Sequence, residues 1–542
     1  MAKTEVSYLE KIIHSFMGEK EVAIAPQPEA SSGVYRTLGS SGFNGEKNAG
    51  EIGPVINYWI DYETLRARSW QLLLESEVAY TVIKRHIEWV IGTGLKLQAE
   101  PVVEVIEEAG IKIDRESFSK QVEARFRLFC KSRMSDYSDM ESFDQKQSDI
   151  FKAAIVGGDC LVILRLVKNV VKVEVVDGCH VQSPPGVSGN EYWPTTLENG
   201  NRIIHGIEVD KKGMHVAYYV RESPYTSLKY TRIKARATDG DGLMAFMVYG
   251  TKYRLDSYRG MPLLSVLFET AKQMDRYKGA VIGSAEERQK IAFAIEHDIF
   301  STGENPLLKQ TVQARNIGLG ISDNLVPRDD FGNALADKIA VTTKKGTYNL
   351  PLGAHLKSLE SKNELYFKDF MEMNIMLFCA AAGCPYEVAM AMYNSNYSAS
   401  RAALKQWEHI LKVLRNSHSF QVNQPVYDFF LEVEILLGNI NAPGYINARF
   451  RGDRLLMEAF RNARFTGPAI PHIDPEKEVK AERLKLGVAG AAIPLTTAEA
   501  ATEALSEGDY NTNLDQYAKE LADSISKGVK MPEKEIKPPA TS

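Results

Sequence analysis

Hydrophobic and polar positions in the first hundred residues follow a helical period and then change abruptly. In YETLRARSWQLLLES and EVAYTVIKRHIEWVI the apolar residues recur every three or four positions, which predicts two helices, the first capped by Asp61. Gly92 and Gly94 follow the second helix, and glycine commonly ends a helix because it adopts a left-handed backbone. The pattern therefore predicts two helices, a glycine stop and then a strand in LKLQAE.

The next part of the chain mixes both periodicities. Helices are predicted at 116–131 and 143–156, and DCLVILRLV and VVKVEVVDG predict two strands with Asn169 in the turn between them. IIHGIEVDKKGMHVAYYV predicts another hairpin with Lys-Lys-Gly at its tip. These elements predict an α+β body with antiparallel strand pairs.

The middle of the chain has a different organisation. Residues 259–296 predict one long helix, which Gly279 or Gly283 would allow to kink. Residues 297–357 lose the helical period and gain Gly, Pro and mixed charge, and 358–383 predict a second long helix. About sixty residues are thus held between two long helices. Further helices are predicted at 4–18, 424–437 and 475–486.

Residues 394–415, NSNYSASRAALKQWEHILKVLR, begin with a cluster of small polar residues and continue as a helical pattern. Ser398 is the predicted N-cap. One face of the helix carries Arg401, Lys405, Glu408, Lys412 and Arg415, and the opposite face is apolar. Periodicity leaves two interpretations open: a solvated face, or a face turned towards something negative.

Composition and charge narrow the class of protein. Hydrophobic residues make up 44% of the chain and charged residues 25%, which is typical of a globular protein. The net charge of −5 argues against a tight, nonspecific nucleic-acid binder. Residues 471–542 hold 9 Lys and Arg against 13 Asp and Glu, so the acidity is concentrated at the C-terminal end.

The cysteines and the apolar runs predict a soluble protein that is not exported. Five cysteines without a CxxC pair favour reduced, buried thiols over disulfides or a zinc site. The first twenty residues lack the apolar core of a signal peptide, and no run approaches the roughly 18 apolar residues of a membrane span. Residues 24–53 are rich in Gly, Ser and Pro and predict an arm without its own core.

Motifs for catalysis are absent from the sequence. No GxxxxGK[ST] loop, GxSxG elbow or HExxH helix occurs, and the glycines at 92–94 precede a strand rather than follow one. DGDG at 239–242 lacks the later ligands of a calcium loop. Cys160 lies inside a predicted strand and is interpreted as a structural thiol. The sequence predicts no catalytic residue, no metal site and no cofactor.

Several blocks of the sequence resemble, in the same order, the lambda-type family of phage portal proteins. The blocks are RARSWQLLLESEVAYTVIKRHIEWVIGTGLKLQ, GDCLVILR, HGIEVDKKGMHVAYYV, YRGMPLLSVL, GTYNLPLG, AAAGCPYEVAM, NSNYSASRAALKQWE, HIDPEKEVKA and LTTAEAATEALSEGDYNTNLDQYAKE. DNLVPRDDFGN and the acidic tail have no counterpart in that pattern.

The resemblance implies a multidomain portal fold with long stem helices, an inserted clip, an antiparallel β wing and a helical C-terminal region. It divides the chain into an N-terminal arm 1–55, wing 56–258, first stem helix 259–296, clip 297–357, second stem helix 358–383, tunnel loop 384–398, tunnel helix and return to the wing or crown 399–465, crown region 466–525 and disordered tail 526–542.

The resemblance also implies a function without catalysis. It implies a ring of twelve copies at one capsid vertex of the virion, assembled in the bacterial host cytoplasm, through which double-stranded DNA is packaged and later released. The implied partners are the terminase large subunit, the major capsid protein and the head-tail connector protein. The channel residues it implies are Met392, Tyr393, Asn394, Ser395, Asn396 and Tyr397, with Arg401, Lys405, Lys412 and Arg415 at the channel or a subunit interface. A nuclease of a packaging gene cluster and a monomeric adaptor are the alternatives.

Overall fold

The computed structural model of the chain describes residues 21–22, 50–52, 58–187, 194–222, 229–237, 242–252, 254–295, 337–340, 346–349, 367–392, 397–468, 475–486, 495–505 and 510–527. The predicted helix at 4–18, the DGDG turn apart from Gly242, and most of the predicted clip lie outside these residues. The chain divides into two compact units: Met1–Leu267 together with Cys379–Ser542, and Phe268–Phe378.

The α-helices of the described chain are numbered in order. They are α1 (Tyr62–Glu75), α2 (Glu77–Val90), α3 (Val103–Glu108), α4 (Arg115–Lys131), α5 (Phe143–Gly157), α6 (Phe268–Lys290), α7 (Phe367–Ala381), α8 (Tyr386–Met390), α9 (Tyr397–His418), α10 (Gln424–Leu436), α11 (Tyr445–Arg451), α12 (Arg454–Arg461), α13 (Pro475–Lys485), α14 (Ala498–Leu505) and α15 (Tyr510–Ser526).

The strands are β1 (Glu21–Val22), β2 (Gly50–Ile52), β3 (Tyr58–Ile60), β4 (Lys96–Ala99), β5 (Asp159–Val167), β6 (Val170–Asp177), β7 (Thr195–Thr196), β8 (Arg202–Ile204), β9 (Ile207–Val209), β10 (His215–Arg221), β11 (Tyr230–Lys234), β12 (Ala245–Tyr249), β13 (Ile291–Ile295), β14 (Asp337–Ala340), β15 (Gly346–Asn349) and β16 (Ala463–Thr466). The larger sheets of the first unit run in the orders β1-β11-β10-β9-β8-β7 and β12-β5-β6. Their pairings are antiparallel, which confirms the α+β class.

Local side-chain chemistry sets the starts of the first helices. The Asp61 carboxylate accepts the Thr64 main-chain N–H at 3.0 Å, so the predicted cap of α1 is confirmed. Ser142 and Gln145 form a reciprocal capping box at the start of α5. Gly92 and Gly94 have φ of +58° and +107°, which confirms the predicted stop after α2.

The β5–β6 hairpin forms as the alternation predicts. Its register pairs Val167 with Val170, and Asn169 takes the left-handed conformation in the turn. The predicted second hairpin is formed by β9 and β10. The apolar faces of the two larger sheets meet in a core that includes Leu161, Tyr218 and Met247.

A second core lies among the helices of the same unit. The Phe126 ring on α4 lies 5.6 Å from the Tyr427 ring and 5.3 Å from the Phe430 ring on α10, measured between centroids. Edge-to-face aromatic pairs of this kind add roughly 0.5–1.5 kcal/mol beyond the area they bury. The C-terminal half of the chain therefore folds back onto the N-terminal helices.

The second unit contains α6, β13, β14, β15 and α7. The Tyr277 ring on α6 lies 4.3 Å from the Phe370 ring on α7 and stacks on the Phe367 ring at 5.7 Å. β15 pairs antiparallel with β14 and parallel with β13. The two long helices therefore contact each other, as well as flanking the strands in the sequence.

The first long helix is shorter than the sequence predicts. α6 begins at Phe268 instead of 259, and it ends at Lys290, where β13 begins. Met261 pairs with Thr251 through an N–H···O=C bond of 2.7 Å, so this part of the chain is held in a bridge before a 3₁₀ turn at Leu263–Leu267. The second long helix is described from Phe367 to Ala381.

Candidate functional site

The first part of the predicted tunnel loop, 384–398, is a sharp turn followed by the short helix α8. Gly383 has φ of +72°, and the Cys384 N–H donates to the Cys379 carbonyl at 2.9 Å, which closes the end of the helix. The short helix α8 ends at Ala391, also in the left-handed conformation. Two tight turns and a short helix therefore occupy the part of the predicted loop up to Ala391.

The predicted channel residues themselves are only partly described. Met392 is exposed, and Tyr397 is the first residue of α9. Residues 393–396 lie outside the described residues, so the channel assignment of the loop stays a prediction.

The apolar face of α9 packs against α2. Trp407 and Leu411 are fully buried, and the His86 ring on α2 meets the Trp407 ring edge-on at 5.2 Å. His86 Nδ1 lies 2.9 Å from the Val82 carbonyl, and burial lowers the pKa of His86, so its ring is neutral at pH 7. The apolar half of the predicted amphipathic helix is therefore core.

Part of the basic face of α9 is neutralised within the helix. Lys405 and Lys412 both reach the Glu408 carboxylate, with N···O distances of 2.7 and 3.0 Å. Burial would raise the pKa of Glu408, but hydrogen bonds from the two lysines lower it. Both ammonium groups are largely exposed, so they remain accessible to a negatively charged ligand or surface. Arg401 lies one turn nearer the loop and is half-buried.

Arg415, predicted as part of the same stripe, is used inside the chain. Its Nη2 donates to the carbonyl oxygens of Trp89 and Pro468, both at 2.6 Å, and its Nε donates to the Val90 carbonyl at 3.1 Å. Trp89 and Val90 are the last residues of α2, where carbonyls lack helical partners and the helix dipole favours a cation. Arg415 thereby holds the C-terminal part of α9 against the end of α2.

A π turn links α9 to α10 into one helical path. The Gln424 N–H donates to the Ser419 carbonyl, five residues back, and Pro425, which has no N–H, follows at once. The Gln421 side chain bonds both main-chain groups of Tyr249 on β12, at 2.8 and 3.3 Å. The sequence interpretation missed this continuity, and Pro425 after a helical pattern is the signal that marks an irregular turn.

Sequence reasoning also missed a buried ionic cluster in the first unit. Asp159 at the start of β5 is fully buried and binds the guanidinium groups of Arg66 on α1 and Arg259. Burial would raise the pKa of Asp159, but Arg259 and Arg66 hold it below its usual range. Arg259 also donates to the carbonyls of Val181 and Gly178, at 2.7 and 2.6 Å.

This cluster lies at the point where the chain leaves the first unit. The Gly260 N–H donates to the Asp159 carboxylate at 2.9 Å, eight residues before α6 begins. Gly158 and Gly260 approach so closely that a Cβ on Gly158 would stand 2.5 Å from the Gly260 carbonyl oxygen. The segment that leads into α6 is therefore fastened to β5 by charge and by backbone contact.

The described part of the chain shows neither a cluster of metal-binding side chains nor a reactive thiol. Across the described ranges, no three His, Cys, Asp or Glu side chains are placed to hold a metal ion. The five cysteines are free thiols, and burial raises the pKa of Cys160 well above its usual value and that of Cys384 to about 12. Within the same residues, no helix combines the length and apolar character that a bilayer crossing needs.

Comparison with known proteins gives the class to which this architecture belongs. The chain belongs to the lambda family of phage portal proteins, whose family model matches residues 56–415. The match covers the described elements from β3 to α8 and most of α9, and it confirms the resemblance seen in the sequence.

Other comparisons are weaker. No curated protein matches the chain in sequence. Among solved structures, the chain is similar to one described as "Neck of empty GTA particle computed with C6 symmetry", at 9% identity and a TM-score of 0.37, over 81% of this chain and 93% of that one.

Proposed function

We propose that this protein forms a ring at one capsid vertex and that double-stranded DNA passes through the ring during packaging and release. The observation that carries the proposal is family membership over residues 56–415, a range that ends within the helix behind the predicted loop. Such a ring needs a hole of roughly 20 Å or more to admit a duplex. Twelve copies, as the family resemblance implies, is the proposed number.

The two units of the chain can be assigned to the parts of such a ring. The first unit would contribute the wing (56–258), and the second unit, Phe268–Phe378, would contribute the stem helices and the clip between them. The clip is the proposed docking site for the terminase large subunit and the head-tail connector protein. The major capsid protein would contact the ring at the vertex.

The tunnel loop, 384–398, is proposed to narrow the channel. Asn394, Ser395 and Asn396 are small, uncharged and polar, so they contact phosphates without releasing counterions. A cluster of cations there would hold DNA instead of letting it slide. Arg401, Lys405 and Lys412 follow on α9 and would face DNA or a neighbouring copy.

The support for this placement is the anchoring of α9. Trp407 and Leu411 are buried, and Arg415 bonds three carbonyls of the same unit, so the C-terminal end of α9 is fixed. The loop therefore precedes a helix whose C-terminal part is fixed within the first unit. The ring is proposed to have no catalytic activity of its own.

Packaging by loop variants tests the proposal. Asn394→Lys with Asn396→Lys is expected to leave ring assembly intact but to slow packaging, more at low salt than at high salt, because each added cation can bind a phosphate. The measurement is packaged DNA length per capsid, alongside ring formation in electron micrographs. Gln71→Lys with Gln121→Lys adds the same charge on exposed helix positions of the wing and serves as the control.

Two outcomes count against the proposal. Normal packaging by the loop variant at every salt concentration contradicts the channel assignment. Absence of the protein from DNA-filled heads, or no ring in isolation or in heads, contradicts the portal function as a whole. Arg401→Glu with Lys405→Glu separates the two roles of α9: intact rings with lost packaging place that face near DNA, and failed assembly places it between copies.

A further inference from the structure

A cavity of about 560 Å³ lies between β4 and α4 in the first unit. Its remaining walls come from the start of α5, the end of β16 and the first turn of α15. An ion pair of 2.7 Å between Asp515 and Lys120 holds α15 against α4 beside it. The cavity has the volume of a small-molecule site, roughly 300–1,000 Å³, and the polar groups on its walls indicate which kind of molecule fits.

One main-chain position of β4 faces this cavity. Alternate residues of a strand direct their N–H and C=O groups to opposite sides. On the side of β16, the Glu100 N–H, two residues after Gln98, donates to the Asn462 carbonyl at 3.0 Å. Leu97 has the opposite parity and lines the cavity, so its N–H and C=O groups point away from β16, on the side where the cavity lies.

The neighbouring positions on this edge of β4 are already occupied. The Ala99 N–H donates to Glu123 Oε1 on α4 at 2.8 Å, and the Leu95 N–H donates to Gln147 Oε1 at 3.1 Å. Among the described residues, none outside the β4–β16 pair bonds the Leu97 main chain. An added strand needs several successive positions, whereas a single amide needs one donor and one acceptor. The edge therefore suits a short ligand.

A carboxylate on the wall has no hydrogen-bond or ion-pair partner in the described chain. It belongs to Asp144, the second residue of α5. The carboxylate packs against Gly94, which has φ of +107° and no room for a Cβ, so its position is fixed. Burial raises the pKa of Asp144, and the charges of Lys131 and Lys96 lower it. A cationic group in the cavity would supply the direct counter-charge that these residues do not.

Two cations on α4 line the same cavity. Arg127 and Lys131 lie one turn apart on the helix, and both are exposed. Neither side chain makes a hydrogen bond or an ion pair with any residue in the described ranges. Lys131 acts on Asp144 through its charge, yet the two do not pair directly. Opposite charges therefore face one space without contacting each other.

We infer that this cavity binds a short zwitterionic peptide of dipeptide size. Its ammonium group pairs with Asp144, its amide bonds the Leu97 main chain, and its carboxylate pairs with Lys131 and Arg127. These three sets of groups match the three polar parts of a dipeptide, and a molecule with a single charge leaves one set without a partner. All the groups belong to one copy of the chain, so the inference does not rest on the proposed ring.

Calorimetric titration of the full-length protein with three related ligands tests the inference. Alanylalanine carries both charges, its N-acetyl derivative keeps only the carboxylate, and its C-terminal amide keeps only the ammonium group. Alanylalanine is expected to bind with a Kd of about 1 mM or below. Each blocked derivative is expected to bind about tenfold more weakly or worse, because it loses one charge-assisted hydrogen bond.

Variants of the chain assign each charge of the ligand to its side chain. Asp144→Asn is expected to weaken alanylalanine binding about tenfold without weakening that of the N-acetyl derivative, which has no ammonium group. Arg127→Gln with Lys131→Gln is expected to weaken alanylalanine binding about tenfold without weakening that of the amide. Glu476→Gln with Lys480→Gln, an exposed pair on α13, is the matched control and binds as the wild type. Melting temperatures without ligand check that each variant folds.

Four results overturn the inference. The first is no binding of alanylalanine at about 10 mM, the second is equal binding of all three ligands, and the third is a variant that weakens all three equally. The fourth is tighter binding of acetyl-lysyl-glutamyl-amide, whose two charges lie on side chains, because it assigns the cavity to a segment of a partner protein instead of a free peptide. A failed titration leaves the portal function standing, whereas failure of that function appears as absence of the wild-type protein from DNA-filled heads.

Discussion

Arg259 and Asp159 form a buried, two-pronged ion pair although one hundred residues separate them in the chain. Arg259 Nε lies 2.7 Å from Asp159 Oδ2, and Nη2 lies 2.8 Å from Oδ1. Arg66 binds the same carboxylate at 2.5 Å. Two cations thus share one anion shortly before the chain reaches α6.

Asp159→Ala is expected to destabilise the protein by about 3–5 kcal/mol, because it leaves two buried guanidinium groups without their shared anion. Urea unfolding followed by tryptophan fluorescence measures the loss. Glu476→Ala removes one side of the exposed Lys480–Glu476 pair and is the control, with an expected change of about 0.5 kcal/mol or less. Equal losses of unfolding free energy in the two variants would show that the buried cluster stabilises the fold no more than an exposed ion pair does.

Gly158→Ala is expected to be much more harmful than Gly110→Ala, although both positions have positive φ. At Gly158, with φ of +93°, the new Cβ would stand 2.5 Å from the Gly260 carbonyl oxygen, whereas at Gly110, with φ of +78°, nothing lies within 4 Å. Backbone strain alone costs roughly 1–2 kcal/mol. A fall in melting temperature that is the same for both variants would contradict the close approach of the two chain segments.

Arg415→Lys is expected to lower stability by about 1–3 kcal/mol, because an ammonium group cannot reach the three carbonyls that the guanidinium fork binds. Lys412→Ala is the control on the same helix, since its exposed pair with Glu408 is expected to contribute about 0.5 kcal/mol or less. Urea unfolding measures both. If Arg415→Lys were neutral, the anchoring of α9 would depend on its apolar face alone.

Asp428→Asn is expected to change how stability depends on pH. Burial raises the pKa of Asp428 to about 7, despite Arg461 and the Gln424 hydrogen bond of 2.7 Å, and Glu458 and Glu432 raise it further. The folded state then binds more protons than the unfolded state between about pH 4 and pH 7, so this group destabilises the fold as the pH rises through that window.

In Asp428→Asn no carboxyl group titrates at this position, so this fall in stability with rising pH is absent. Its free energy of unfolding relative to the wild type is expected to increase by about 3 kcal/mol between pH 4 and pH 8. Urea titrations at several pH values measure the difference. Two parallel curves would show that Asp428 titrates as an ordinary exposed aspartate.

The sequence by itself determined the elements whose causes are local. The Asp61 cap, the glycine stop at Gly92 and Gly94, and the turn at Asn169 each depend on residues within a few positions, so the α+β body could be predicted. The order of its motif blocks also identified the family, which the match over residues 56–415 confirms. The channel role of residues 392–397 stays a prediction.

Only the tertiary structure decided how the charged residues are used. Periodicity placed Arg415 on one stripe with Lys405 and Lys412, yet Arg415 binds the end of α2 and the two lysines share Glu408. It also shortened the first long helix, because Arg259 and Gly260 are held by Asp159 and cannot join α6. A helical period records which side chains share a face, whereas the partner of each charge depends on which distant strand or helix end packs there.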